Sequence, residues 1–112
     1  MIYTSYFAKY KGENGVSIAR FKPKWFNGPE YLDLAPSVDL LTWWKNCDQN
    51  DESNKMQYIE SYYNMLFELD PRKVYEELEG KVLLCYEKVG TFCHRHLVTM
   101  WLRQFGYECK EL

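Results

Sequence analysis

No stretch of this 112-residue sequence approaches the roughly 18–20 apolar residues of a membrane span, so no membrane partner is expected. An excess of basic charge is also missing: 14 Lys and Arg stand against 16 Asp and Glu, a net charge of -2. Proteins that grip duplex phosphates are usually basic, so nucleic acid is kept as a partner but is not favoured. No Cys-x-x-Cys spacing links Cys47, Cys85, Cys93 and Cys109, which removes the zinc-ribbon and thioredoxin signals. Met1 to Phe7 carries no basic leader followed by an apolar core and a cleavage site. The expected address is therefore cytoplasmic, where four thiols are expected to be free, catalytic or metal-bound rather than paired. Repeats and low-complexity segments are absent. A second core does not fit either, because domains usually need roughly 100–150 residues; residues 1–112 read as one domain.

What is present is globular: 46% hydrophobic and 27% charged residues rule out a disordered chain. Aromatics are abundant, with ten Tyr, six Phe and four Trp, and most of them must be core. Ile2 to Lys9 reads as a strand, placed in the middle of a sheet, and Val16 to Phe21 as a second. Pro23 to Pro36 reads as an irregular segment of the kind that often binds. Ser37 is a helix cap before Val38, Leu40, Leu41 and Trp44, with the helix running to about Asn46. Asp48 to Asn54 reads as a polar loop. Ile59, Tyr62, Tyr63, Leu66 and Leu69 recur at helical spacing over Lys55–Leu69. Asp70-Pro71 starts another helix, which Gly80 ends. Lys81 to Tyr86 reads as a strand buried on both faces. After a loop over 87–91, Phe92 to Phe105 reads as a helix and Tyr107 to Leu112 as a short strand. This order predicts a single small α/β domain with a mainly parallel sheet flanked by helices, its first and third strands parallel across a helical crossover.

The chemistry concentrates between Val82 and His96. A strand end carrying Glu87 leads into a helix whose first turn holds Cys93, His94, Arg95 and His96. Free amides at a helix start favour an anion or thiolate, and ligands of open α/β sheets sit beyond the strands' C-terminal ends. Cations are disfavoured at a helix N-terminus. Placing His94, Arg95 and His96 there makes electrostatic sense only if something negative arrives. The bland reading is an Arg95–Glu87 salt bridge with solvated histidines.

Leu84-Cys85-Tyr86-Glu87-Lys88, followed by Phe92-Cys93-His94-Arg95-His96-Leu97, resembles the closing motif of the family called domain of unknown function 488. Tyr3-Thr4-Ser5-Tyr6-Phe7-Ala8, Ser17-Ile18-Ala19-Arg20 and Leu34-Ala35-Pro36-Ser37 are also similar to its short members, with Ala19 standing where a small polar residue is common. The resemblance implies a small cytoplasmic α/β domain from a prokaryote or phage. It brings no settled activity. It also implies Ser5 and Ser37 as polar contacts.

Cys93 is a candidate nucleophile, oriented by Glu87, but Thr91 stands six residues after Cys85, so no Cys-x5-Arg phosphate loop exists. Cys85, Cys93, His94 and His96 offer zinc donors, yet adjacent residues on a helix point about 100° apart and Cys85 reads as core. No residue is assigned as a metal ligand, and no cofactor is named. Arg20, Lys22 and Lys24, interleaved with Trp25 and Phe26, form a positive cluster. Phe7, Trp25 and Tyr86 are the aromatics expected near a pocket. Trp43 and Trp44 cannot both face one core, which hints at a partner surface.

The leading expectation is a site for a phosphate-bearing, nucleotide-like ligand, with hydrolytic or transfer chemistry. Glu87 is base or orienter, with Cys93 and His94 as catalytic candidates. Arg95 and Arg20 are the anion contacts, and Ser5 and Ser37 further ligand contacts. The alternatives are a non-catalytic interaction domain in which the motif is structural, or a zinc site. Substrate and oligomeric state are not legible in the sequence.

Overall fold

The apolar run Val-Leu-Leu-Cys needs protein on both faces, and it takes an interior place. In the computed structural model, which describes residues 1–87 and 92–112, the strands are β1 (Ile2–Tyr6), β2 (Gly15–Ser17), β3 (Val82–Cys85) and β4 (Cys109–Glu111). Among the described residues they form one sheet in the order β2-β3-β1-β4, and every pairing is parallel. Tyr3 stands opposite Val82, Gly15 opposite Val82 on its other side, and Ile2 opposite Cys109. The expected parallel pairing of the first and third strands is present, with the first strand inside the sheet. The loop read over 87–91 lies, from Lys88 to Thr91, outside the described residues.

Helices α1 (Val38–Asn46), α2 (Glu52–Phe67) and α3 (Pro71–Leu78) fill the crossover from β2 to β3, and α4 (His94–Gln104) joins β3 to β4. Period-2 alternation in the strands sorts the side chains into two groups. Ile2, Val16, Leu83 and Cys85 share one cluster with Leu40, Tyr62, Leu66, Val74, Val98 and Trp101 from the helices. Phe7, Ala19, Val82 and Leu84, backed by Tyr3, Tyr10 and Phe26, form a smaller cluster of strand and turn residues. The helices thus pack on the sheet through one shared core, and the expected α/β domain with a mainly parallel sheet and flanking helices is what forms. Burying a side chain such as Leu83 or Val98 contributes roughly 1.5–3 kcal/mol, so this core supplies most of the fold's stability.

Boundaries differ from expectation where backbone partners change. The first strand ends at Tyr6 because Lys9 and Tyr10 donate back to the Tyr6 carbonyl, making a turn of residues read as strand. The second strand stops at Ser17. There Ser17 also bonds Pro29 and Tyr31 on the edge away from β3, so the Pro-rich segment comes back along the sheet edge. Helix α2 starts at Glu52, inside the expected polar loop, because Asp51 accepts from the Ser53 and Asn54 amides. Helices α3 and α4 are followed by Gly80 and Gly106, at φ of 81° and 85°, the left-handed conformation that glycine adopts without a Cβ clash.

Ser37 caps α1: the Leu40 amide donates to its Oγ at 3.1 Å. The wall that α1 contributes to the site below depends on where this helix starts. Ser37→Ala is expected to lower unfolding free energy by about 1 kcal/mol, read from the urea midpoint with an unchanged m-value; a neutral substitution would mean the cap does not hold the helix.

Candidate functional site

The expected site sits where β3 ends and α4 begins. Cys85 closes β3 and Cys93 stands immediately before α4. A cavity of about 340 Å³ opens there, within the roughly 300–1,000 Å³ usual for small-molecule sites. Its floor is Cys85, Cys93 and His94. Trp44, Tyr58, Tyr86, Phe92 and Phe21 make aromatic walls, Pro36, Leu41 and Ala19 complete the apolar lining, and Arg20, Lys45 and Glu87 supply charge.

Local interactions fix these walls. Trp44 lies 5.0 Å from Tyr58 and 5.3 Å from Phe92, ring centre to ring centre. The Tyr86 hydroxyl donates to the Phe21 carbonyl at 2.5 Å, tying the end of β3 to the segment after β2. Arg20 donates its Nε–H to the Pro36 carbonyl at 2.9 Å, and no described residue engages its two terminal nitrogens. Glu87 is exposed at the lip. Burial pushes the Tyr58 hydroxyl pKa well up, with the Glu87 charge adding to the effect, so Tyr58 stays protonated and acts as a neutral wall.

His94 is buried, and its Nε2 lies 2.7 Å from the Ile18 carbonyl. A carbonyl only accepts, so Nε2 carries the proton and Nδ1 presents a lone pair when the ring is neutral. Nδ1 faces the Cys93 sulfur at 3.7 Å. Burial holds the His94 pKa down to about 4; the Ile18 bond opposes this, and the Arg95 and His96 charges reinforce it. The ring is therefore neutral at pH 7.

Arg95 does not join the cavity. It is fully buried and spans the sheet. Its Nε and Nη2 donate to the Glu111 carboxylate at 3.1 and 3.0 Å. Its Nη1 donates to the Cys85 sulfur at 3.0 Å and to the Glu87 carbonyl at 2.5 Å, and the guanidinium carbon lies 5.6 Å from the Tyr6 ring centre. The negative group that the helix start calls for is thus the chain's own Glu111, not an incoming ligand and not the Glu87 carboxylate of the bland reading. Burial alone would raise the Glu111 pKa, but hydrogen bonds from Arg95 and Thr4, with the Arg95 charge, leave it lowered.

The other candidates are distributed as follows. Cys93, His94, Glu87 and Arg20 meet at the cavity. Ser37 is the α1 cap. Ser5 is buried with no hydrogen-bond partner for its Oγ among the described residues. By strand alternation it lies on the sheet face opposite Thr4, which bonds the Arg95 partner Glu111. Cys85 and Cys93 are joined by a disulfide, and only Cys47 and Cys109 are free. The expectation of four thiols free, catalytic or metal-bound rather than paired is corrected for these two, and Cys93 has no free thiol to act as a nucleophile while that bond stands. Cys93 is not inside the helix: its φ of -153° and ψ of 147° are extended. Of the expected pocket aromatics, Tyr86 lines the cavity, while Phe7 packs edge-on against Trp25 and Phe26. Lys22 donates to the Phe26 carbonyl at 2.6 Å. Sequence reasoning missed Trp44, Tyr58, Phe92 and Lys45 as cavity residues. The doubled Trp43-Trp44, noted as unable to face one core, was the available signal for Trp44.

A family model described as the active DUF488-N3 subclade matches residues 18–106. The chain belongs to the DUF488 family. No curated protein and no solved structure gives a significant match.

Two outcomes follow from this geometry. Removing the carboxylate in Glu111→Ala leaves a buried guanidinium unpaired and is expected to cost about 3–5 kcal/mol in denaturant unfolding. Glu76→Ala, from an i,i+4 pair whose side chains are 77% and 64% exposed, should cost no more than about 0.5 kcal/mol. Equal losses would remove the special place of the Arg95 pair. Between the ordinary histidine value near 6.5 and about 4, the unfolded chain binds a proton at His94 that the folded chain does not. Stability contributed by the neutral ring is thus present above that window and falls as pH drops through it, by on the order of 3 kcal/mol. His94→Gln, compared with wild type in the presence of a chelator, should flatten that slope; an unchanged slope would assign it to other groups.

Proposed function

We propose that the cavity binds a phosphate-bearing, nucleotide-like ligand and supports hydrolytic or transfer chemistry on it. One observation carries the reading: a single cavity beyond the C-terminal ends of parallel strands combines flat aromatic walls with two cations at its rim. Trp44, Phe92 and Tyr86 offer stacking surface for a base, which is worth roughly 1–3 kcal/mol per stacked base. Arg20, its Nε anchored to Pro36, and Lys45 are the phosphate contacts. Arg95, first expected in that role, is committed to Glu111. Glu87 at the lip is the group that exchanges a proton with water or a leaving group, and His94 offers the Nδ1 lone pair at the floor. The matched subclade is described as active, which supports treating the pocket as a working site. The rival reading, a motif that only locks the last strand to the last helix, accounts for Arg95. It leaves Glu87, Cys93 and His94 around an open cavity without a purpose.

Thermal unfolding against inorganic phosphate, nucleosides and mononucleotides tests the proposal. A mononucleotide at about a hundred times its dissociation constant adds roughly 2.7 kcal/mol. The expected result is a clear rise in Tm with nucleotides, a smaller one with nucleosides, and loss of the difference in Arg20→Ala. If no nucleotide shifts wild type, or Arg20→Ala responds as wild type does, the assignment fails.

A further inference from the structure

We propose that Cys85, Cys93 and His94 form a zinc-binding site in the reduced chain, with its fourth coordination position open to the cavity. Their ligand atoms, Sγ, Sγ and Nδ1, all lie within 4.8 Å of one another, and all three residues are buried. The donor set is that of open Cys2His zinc centres, where three protein ligands leave one position for water or a bound group. The site goes beyond the nucleotide reading and does not depend on it.

Three further features support the assignment. The obstacle seen in the sequence, that neighbouring helical residues point about 100° apart, disappears because Cys93 is extended and only His94 begins the helix. The Cys93 Sγ to His94 Nδ1 distance of 3.7 Å is close to the edge of a tetrahedron with Zn–S of about 2.3 Å and Zn–N of about 2.0 Å, roughly 3.5 Å. The outer contacts are those that orient metal ligands. Nε2 of His94 is fixed on the Ile18 carbonyl, and Cys85 Sγ accepts from Arg95 Nη1.

In this structure the two cysteines are bonded to each other, so the site forms only once that disulfide is reduced. Their Cα atoms are 7.4 Å apart, beyond the roughly 4.4–6.8 Å that a disulfide usually spans. An ion between the sulfurs holds them about 3.8 Å apart, which suits the wider backbone separation. Loading the reduced chain forms two Zn–S bonds and one Zn–N bond. Each thiol releases its proton to solvent, so two thiolates balance the dication. Soft thiolates with a neutral imidazole select zinc over magnesium or calcium.

The test uses the full chain, reduced with a thiol and stripped by a chelator, titrated with cobalt(II) and then zinc. One cobalt per chain should bind with a thiolate-to-metal charge-transfer band, and zinc should displace it. Cys47→Ser should leave the band intact. Cys93→Ser and His94→Ala, checked for folding by circular dichroism, should weaken binding by roughly tenfold or more. In wild type, zinc should protect Cys85 and Cys93 from alkylation, a readout that does not rely on any variant folding. A folded, reduced wild type without the band overturns the site, as does a band that persists undiminished in folded Cys93→Ser or His94→Ala. A Cys85–Cys93 bond that survives the reductant, seen as only two alkylated cysteines, overturns it as well. Nucleotide-dependent stabilisation is scored separately on the same stripped protein, so failure of either reading is seen apart from the other.

Discussion

Everything at the end of β3 depends on one buried cation. Arg95 lies under the first turn of α4 and holds groups from three strands: Glu111 in β4, the Tyr6 ring at the end of β1, and the Cys85 sulfur closing β3. Desolvating a guanidinium is expensive, and attraction to a single carboxylate repays it only when the remaining donors are also satisfied. The bonds to the Glu87 carbonyl and to the Cys85 sulfur meet that condition. The same arrangement orients the site. With Arg95 turned inward across the sheet, its neighbours Cys93 and His94 are presented to the cavity on the other side of the helix start.

That division of labour explains why a run of positive and titratable residues can open a helix here. The helix dipole disfavours cations at this end, but the penalty is offset within the fold by Glu111 and by the neutrality of His94. Glu111 is held ionised by the Arg95 and Thr4 hydrogen bonds against the effect of its burial, whereas His94 is held neutral by its burial against the pull of the Ile18 carbonyl. The cavity is then left with mixed character, apolar on its walls and polar at its floor and rim, as small-molecule sites usually are.

The strands and the helix order were legible because burial imposes periodicity. Val82–Cys85 is continuous and apolar, Ser37 and Asp70 are caps, and Gly80 and Gly106 are stops. The cavity's place was legible from the strand-to-helix junction, and Glu87, Cys93, His94 and Arg20 all line it. The role of Arg95 was not, because its partner Glu111 sits in a three-residue strand with no pattern of its own. Nor were the walls. Trp44 and Tyr58 lie on helix faces where an aromatic reads as ordinary core, and only tertiary packing places α1 and α2 over the strand ends. The extended conformation of Cys93 was equally hidden, since a cap cysteine and a helical cysteine look alike in a sequence.

The sheet also constrains the order in which the chain can assemble. Strand β1, Ile2–Tyr6, is made early, yet its two neighbours are Val82–Cys85 and Cys109–Glu111. At a synthesis rate of roughly 5–20 residues per second, β1 waits several seconds with its backbone groups unpaired, and loop closure over such separations is slow. The crossover helices, whose contacts are local, are the part able to form first. Their amphipathic faces then wait for a sheet that only the arrival of β3 and β4 completes.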